Sequence, residues 1–323
     1  MKHVRSARSV LTACAGLAMA GAVLAQDAET EAKKKWSNET ELGIVATRGN
    51  STTQTLGLKD TLRRFWNKAR FQLKLQGTLQ QSGDDRERVV DPGFTWEPGA
   101  PPPADVTTTL VTPPVETDNE IYLIEGRYDR DIRKNLTWNA GASWDRNVDA
   151  GIINRYIVFG GVGNVWWDRE DLHFYTTYGL SWTDRQEEDP DPEKDDRFPG
   201  FRFTWDYLNQ WGKVTTYEND WTVNVNLKDA ADYSFDMVNK LTVSMAKHLS
   251  LSVSLQWLYN NEPALEDVDL IAYVEVVDPD GVPGSGDEFI RTTDGGAELN
   301  LGEVQERKDS LDTIFMTSLV ISF

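Results

Sequence analysis

The feature that most constrains this chain is an alternation of apolar and polar residues that runs on for longer than a soluble strand needs. Ala69, Phe71, Leu73, Leu75, Gly77 and Leu79 alternate with Arg70, Gln72, Lys74, Gln76, Thr78 and Gln80. A strand sends successive side chains to opposite faces, so this segment has one apolar and one polar side. Leu249, Leu251, Val253, Leu255, Trp257 and Tyr259 oppose Ser250, Ser252, Ser254 and Gln256 in the same way. So do Leu136, Trp138, Ala140, Ala142 and Trp144 against Thr137, Asn139, Gly141, Ser143 and Asp145. A soluble sandwich alternates as well. Length separates the two. These segments reach about eleven residues, which a tilted membrane strand requires, whereas soluble strands usually have about five or six.

The pattern predicts strands over 37–47, 53–65, 69–82, 119–132, 136–146, 153–166, 172–184, 199–208, 214–227, 233–245, 249–260 and 309–323. That is about twelve, an even number, as single-chain bacterial barrels have. The connections test this independently, because an outer-membrane barrel alternates short periplasmic turns with longer outer loops. From a periplasmic N-terminus the even connections fall at Trp66-Asn67-Lys68, Arg133-Lys134-Asn135, Trp167 to Asp171, Asn209 to Lys213 and Ala246-Lys247-His248, all tight. The odd connections include 83–118, 185–198 and 261–308, all long; the other odd ones, 48–52, 147–152 and 228–232, are short but not tighter.

Composition fits such a barrel. The formal net charge of −19 argues against nucleic acid as a partner, since phosphate binding needs a basic surface. With 12 Trp, 10 Tyr and 12 Phe, the chain is too aromatic to be disordered. Beyond the start, no apolar run is long enough for a membrane-spanning helix. Trp36, Trp66, Trp138, Trp166, Trp167 and Trp211 fall near the predicted periplasmic strand ends, and Trp144, Trp182 and Trp257 toward the other. Two such bands match the aromatic girdles at a membrane interface; packing at sheet edges is the competing explanation.

Met1 to Ala25 reads as a secretory signal peptide, with Lys2, Arg5 and Arg8 before an apolar run and a cleavage site at Val23-Leu24-Ala25. Its removal takes the net charge from −19 to −22. A lipobox at Leu11-Thr12-Ala13-Cys14 is the alternative, but cleavage before Cys14 would leave almost no apolar region. Cys14 is the only cysteine, so a chain cut after Ala25 has neither disulfides nor thiolate metal sites. Residues 26–35 read as a charged periplasmic linker, and 36–323 as the barrel.

At the C-terminus, Leu311, Thr313, Phe315, Thr317, Leu319, Ile321 and Phe323 share one face of a strand that ends on an aromatic. A last strand ending in Phe is the pattern read by the outer-membrane barrel assembly machinery, which makes Phe323 the expected assembly signal. Trp36-Ser37-Asn38-Glu39-Thr40-Glu41-Leu42-Gly43, Gly49-Asn50-Ser51-Thr52-Thr53-Gln54-Thr55 and the closing Ser318 to Phe323 together resemble the DUF481 family, often labelled salt-induced outer-membrane proteins. The resemblance spans about residues 36–323. It implies an outer-membrane barrel and supplies no substrate. The long segments 83–118 and 261–308 depart from the family pattern.

The face opposite the apolar one carries charges: Glu41, Lys59, Arg70, Lys74, Glu125, Arg127, Asp145, Arg202, Glu218 and Lys240, with Glu39, Asp129, Asp206 and Asp220. Facing lipid, an Arg or Lys would cost about 2–4 kcal/mol at the midplane, so these residues are expected to line the lumen. They would line a narrow channel or pair across a closed, salt-bridged lumen. Asp60, Arg130 and Asn239 fall on the lipid face; at Asn239, between Met237 and Leu241, a bulge or register shift is expected. The outer loops are acidic, and Asp278-Pro279-Asp280-Gly281 and Asp287-Glu288 are candidate ligands for divalent cations, against a plain solvated surface. A hydrolase is not expected, because Ser181 stands too far along its strand from His173 to form a catalytic pair. No cofactor is expected.

The sequence therefore predicts an all-β, transmembrane, antiparallel up-and-down barrel in a bacterial outer membrane, with lipid and the assembly machinery as partners. Its expected function is passive passage of ions or small solutes with weak cation preference. The alternatives are a structural or envelope-stress barrel with a closed lumen, then a barrel hydrolase or a secreted β-sandwich.

Overall fold

The structure, a computed structural model, describes residues 35–48, 53–82, 87–98, 100–101, 106–111, 117–148, 150–169, 171–279 and 288–323. The signal peptide, most of the linker, the Gly49-Asn50 turn and the cation candidates Asp280, Gly281 and Asp287 lie outside these residues. The alternating segments form strands β1 (Trp36–Arg48), β2 (Thr53–Trp66), β3 (Ala69–Ser82), β4 (Glu87–Val90), β5 (Thr95–Trp96), β6 (Thr108–Val111), β7 (Thr117–Arg133), β8 (Leu136–Asn147) and β9 (Ile152–Asp168). They continue as β10 (Leu172–Glu187), β11 (Arg197–Trp211), β12 (Thr215–Asn226), β13 (Tyr233–Ala246), β14 (Leu249–Asn260), β15 (Leu265–Val277), β16 (Phe289–Thr292), β17 (Ala297–Arg307) and β18 (Leu311–Ser322).

Twelve of these close into a barrel in the order β1-β18-β14-β13-β12-β11-β10-β9-β8-β7-β3-β2, every pair antiparallel. Closure joins the ends of the chain: β1 and β18 pair from Glu39↔Ser322 to Arg48↔Thr313. Beyond the ladder, the Phe323 N–H donates to the Asn38 carbonyl at 3.0 Å. A closed ring leaves no open edge, which is what a sheet surrounded by hydrocarbon requires. The short connections sit together at one end, here the turn end, where Gly212 adopts φ 71° to close the β11–β12 hairpin.

The outer face is apolar. Val158 and Leu180 are 61% and 66% exposed, amid Ile44, Leu56, Trp182, Phe315 and Leu319, all likewise open. A belt of this extent has no stable place in water and defines a surface for lipid. At the turn end it is rimmed by exposed Trp36, Trp66, Trp138, Trp166, Trp167 and Trp211, with the Arg64 guanidinium over the rings of Trp36 and Trp66.

Asp60 and Asn239 on this face are satisfied locally. Asp60 accepts hydrogen bonds from Asn38 Nδ2 (3.0 Å) and Thr40 Oγ1 (2.6 Å). The bulge expected at Asn239 is absent. The β12–β13 register runs unbroken from Thr215↔Val243 to Val225↔Tyr233. Asn239 Oδ1 instead accepts from Tyr217 Oη (2.8 Å) and Asn219 Nδ2 (3.0 Å), so cross-strand partners meet the polar demand without a backbone break.

The long segments at the other end, expected as plain loops, fold into a second sheet ordered β5-β16-β15-β4-β6, with β17 on β15. The β15–β17 hairpin extends the β14–β18 hairpin: the Asn260 N–H donates to Ser310 and the Lys308 N–H to Ala264. Val90, Val268, Ile271, Ala272 and Thr292 are buried in it. Short stretches such as Glu87–Val90 cannot bury such a core alone; pairing with β15 in parallel lets them.

Candidate functional site

The site is the lumen. Register and alternation turn toward it Glu39, Glu41, Lys59, Arg63, Arg70, Lys74, Glu125, Arg127, Asp129 and Asp145 from one arc of the ring. Arg155, Arg185, Arg202, Asp206, Glu218, Asp220, Asp236 and Lys240 enter from the rest. Basic and acidic groups are mixed around the ring; some pair within a strand or with a neighbouring one, and others reach across the lumen.

One set of bridges spans β7 to β11. Arg202 donates to Glu125 at 2.7 Å, with its guanidinium 4.4 Å over the Phe159 ring. Arg127 holds Asp129 at 2.8 Å and lies 3.7 Å from Asp206, while Arg70 reaches Asp129 at 3.3 Å. Tyr175 completes this set, its hydroxyl donating to Asp129 at 3.1 Å and lying 2.6 Å from Thr137 Oγ1. The Tyr175 ring lies over Gly163, where an added Cβ would come 2.6 Å from a ring carbon; only glycine leaves room.

A second set spans β13 to β1. Lys240 Nζ stands 2.6 Å from Glu39, 2.5 Å from Glu41 and 3.6 Å from Glu218. Glu41 also accepts from Ser318, which is 2.6 Å from Ser252. This wall is not uniformly polar. Ile314, Met316 and Val320 of β18 point inward and are buried, Ile314 and Met316 in a cluster with Ile121 and Leu258. Gly43 of β1 lies against Ser318 of the same wall, where an added Cβ would come 2.6 Å from the Ser318 Cβ.

Toward the loop end, Arg155 pairs with Asp145 at 3.0 Å, and Arg185 joins Glu187 (3.1 Å) to Asp232 (3.2 Å) beneath the outer loops. Above the barrel, Lys194 donates to Glu187 and to the Glu262 carbonyl. Arg307 reaches Asp191 at 2.8 Å, which ties the base of the second sheet to the β10–β11 loop. Burial by itself would raise the Asp191 carboxyl; the Glu193 N–H and the Arg307 guanidinium outweigh it and hold the group below the usual aspartate range. Among the described residues no three His, Cys, Asp or Glu side chains could together hold a metal ion.

Sequence reasoning passed over Arg63, Arg155, Arg185, Asp236 and Tyr175. Arg63, Arg155 and Asp236 had the lumen parity as a signal; Arg155 was hidden by the apolar inward neighbours Ile157 and Phe159, and Arg185 fell in the expected loop 185–198. Tyr175 had no such mark, because an inward Tyr reads the same whether it is bridging or idle.

An antiparallel closed barrel with an apolar belt outside and a charged, hydrogen-bonded interior is a transmembrane β-barrel. The chain belongs to the family described as protein of unknown function DUF481, whose family model matches residues 40–271. No curated protein matches it. Among solved structures it is similar to the NanC porin, at 10% identity over 87% of this chain and 98% of that one, TM-score 0.45. It is also similar to an anion-selective porin from Comamonas acidovorans (10% identity, 89% and 98% covered, TM-score 0.36). A third is the toluene transporter TodX of Pseudomonas putida (8% identity, 90% and 90% covered, TM-score 0.34). Likeness of this degree carries no solute or selectivity over to this chain.

Proposed function

We propose that this barrel lies in a bacterial outer membrane, turn end to the periplasm, as a narrow water-filled channel for passive passage of ions and small solutes. The observation that carries the reading is that charged side chains inside the closed ring keep accessible surface even where they take part in bridges. Arg70, Asp206 and Glu218 keep 29%, 31% and 27% of their side-chain surface accessible although the strands enclose them. The bridges leave mid-lumen free space of about 30 Å³, which makes the passage narrow. The loop-end mouth carries Asp184, Glu188, Asp189, Asp195, Asp196 and Asp229, a field that concentrates cations and gives weak cation preference.

The direct test is conductance of the refolded barrel in a planar bilayer, with the reversal potential read in a salt gradient. Discrete steps with a reversal shifted toward the cation potential are the expected result. A reversal on the anion side overturns the preference, and a folded but silent barrel overturns the channel.

One set of contacts favours a second reading. Lys240 with Glu39 and Glu41, and Arg202 with Glu125, tie strands three or four places apart around the ring, as a barrel built for envelope integrity would. Silence in the bilayer assigns the protein to that class. In either case Phe323, half-exposed and stacked on His248, serves as the assembly signal at the end of β18. Deleting it should lower the yield of folded barrel in the membrane; an unchanged yield removes the role.

A further inference from the structure

In the closed order, β3 stands opposite β12, and β2 opposite β11. The β2–β3 wall turns Lys59, Arg63, Arg70 and Lys74 into the lumen. The facing wall turns in Asp206, Glu218, Asp220 and Asp236, together with the cations Arg202 and Lys240, which are held in bridges to Glu125 and to Glu39 and Glu41. Several of these charges are taken up by the bridges. Lys74 and Asp220 are not: among the described residues neither has an ion partner within 4 Å or a side-chain hydrogen bond. Both line the same mid-lumen space of about 30 Å³, whose walls also carry the bridged Glu125, Arg127, Arg202 and Asp206. Asp206 and Asp220 are direct cross-strand partners, which puts two carboxylates side by side on the acidic wall.

Opposed walls of this kind set a field across the passage rather than along it, and the low-dielectric surround keeps it strong. Such a field gives little net advantage to either sign of simple ion. It orients a dipole, with an ammonium turned to the acidic wall and a carboxylate to the basic one. We propose that the Lys74–Asp220 constriction is a transverse filter that binds and passes small zwitterionic solutes, of the α-amino acid class, in preference to neutral solutes of equal size. The inference rests on the channel reading above. The free space holds about one water, so a solute enters as Lys74 swings its flexible four-carbon stem along the wall, a motion no ion pair opposes.

The test compares swelling of liposomes holding the full barrel in glycine and in glycolamide, its neutral isomer. Glycine should enter faster by at least about twofold, and the ratio should fall to near one in Lys74→Gln and in Asp220→Asn. Exchanging the pair, Lys74→Asp with Asp220→Lys, reverses the field but keeps it, so the preference should return. Reversal potentials should move toward cations in Lys74→Gln and toward anions in Asp220→Asn. Heat-modifiable migration on gels confirms that each variant is folded; if one fails to fold, the others carry the comparison. Entry of glycolamide with a ratio near one in the unaltered barrel, or a ratio unmoved by the substitutions, overturns the filter and leaves the channel standing. If neither solute enters and no ion steps are seen, the channel reading fails and takes the filter with it.

Discussion

Lys240 on β13 and Glu41 on β1 meet at 2.5 Å across three steps of the ring, although 199 residues separate them in the chain. Both are nine-tenths buried, and Glu39 and Glu218 close around the same ammonium. The contact fastens the closing pair of strands, β1 and β18, to the body of the barrel from within.

Replacing Lys240 by Met should therefore destabilise the barrel by about 3–5 kcal/mol, because Glu41 would be left charged with only the Ser318 hydroxyl beside it and Glu39 with only Arg63 at 3.8 Å. Urea unfolding of the barrel in detergent micelles measures this. Adding Glu41→Gln to Lys240→Met should recover part of the loss, since the deeper of the stranded charges is then gone. An unchanged midpoint in the single variant would show that water in the lumen already compensates.

The tie between Arg307 and Asp191 should depend on pH in one direction. Asp191 has its carboxyl held down in the folded state. The stabilisation it supplies is thus present in full above the ordinary aspartate value of about 3.9 and is lost as pH falls through the lower folded value. Amide hydrogen exchange over Ala264–Val268 should stay slow from pH 8 to 5 and quicken only in more acid solution, after correction for intrinsic rates. In Asp191→Asn that acid-dependent step should vanish.

The outer belt predicts a depth-dependent penalty. Leu180, in the middle of β10 between Gly160 and Phe201, faces outward. Leu180→Arg should cost about 2–4 kcal/mol in a bilayer, and the same substitution at Trp211, beside the turn, about 0–1. Equilibrium unfolding in lipid vesicles gives both values. Equal costs at the two depths would contradict the membrane placement.

How much of this was legible beforehand can be argued from particular residues. The alternation at Ala69–Gln80 and Leu249–Asn260 located strands and faces, because side-chain direction in a strand depends only on residue parity. The tight turns at Asn67-Lys68 and Lys247-His248 set which strands are neighbours. Parity also put Glu41, Lys74 and Lys240 on the inner side. It could not say that Asn239 would be satisfied by Asn219 and Tyr217, because that depends on the cross-strand register. Nor could it say that short stretches such as Glu87–Val90 would be ordered, because their burial is provided by β15, far along the chain.

The sequence by itself determined the class of fold, the number of barrel strands, and which face of each meets lipid. These are local properties, written in periods of two residues and in turns of two or three. Only the tertiary structure decided the pairing inside the lumen: Lys240 with Glu41, Arg202 with Glu125, Tyr175 with Asp129, and Lys74 left facing Asp220. Charges on strands three to six places apart meet only once the ring has closed. Curvature and stagger then set the distances between them, and no local pattern encodes either.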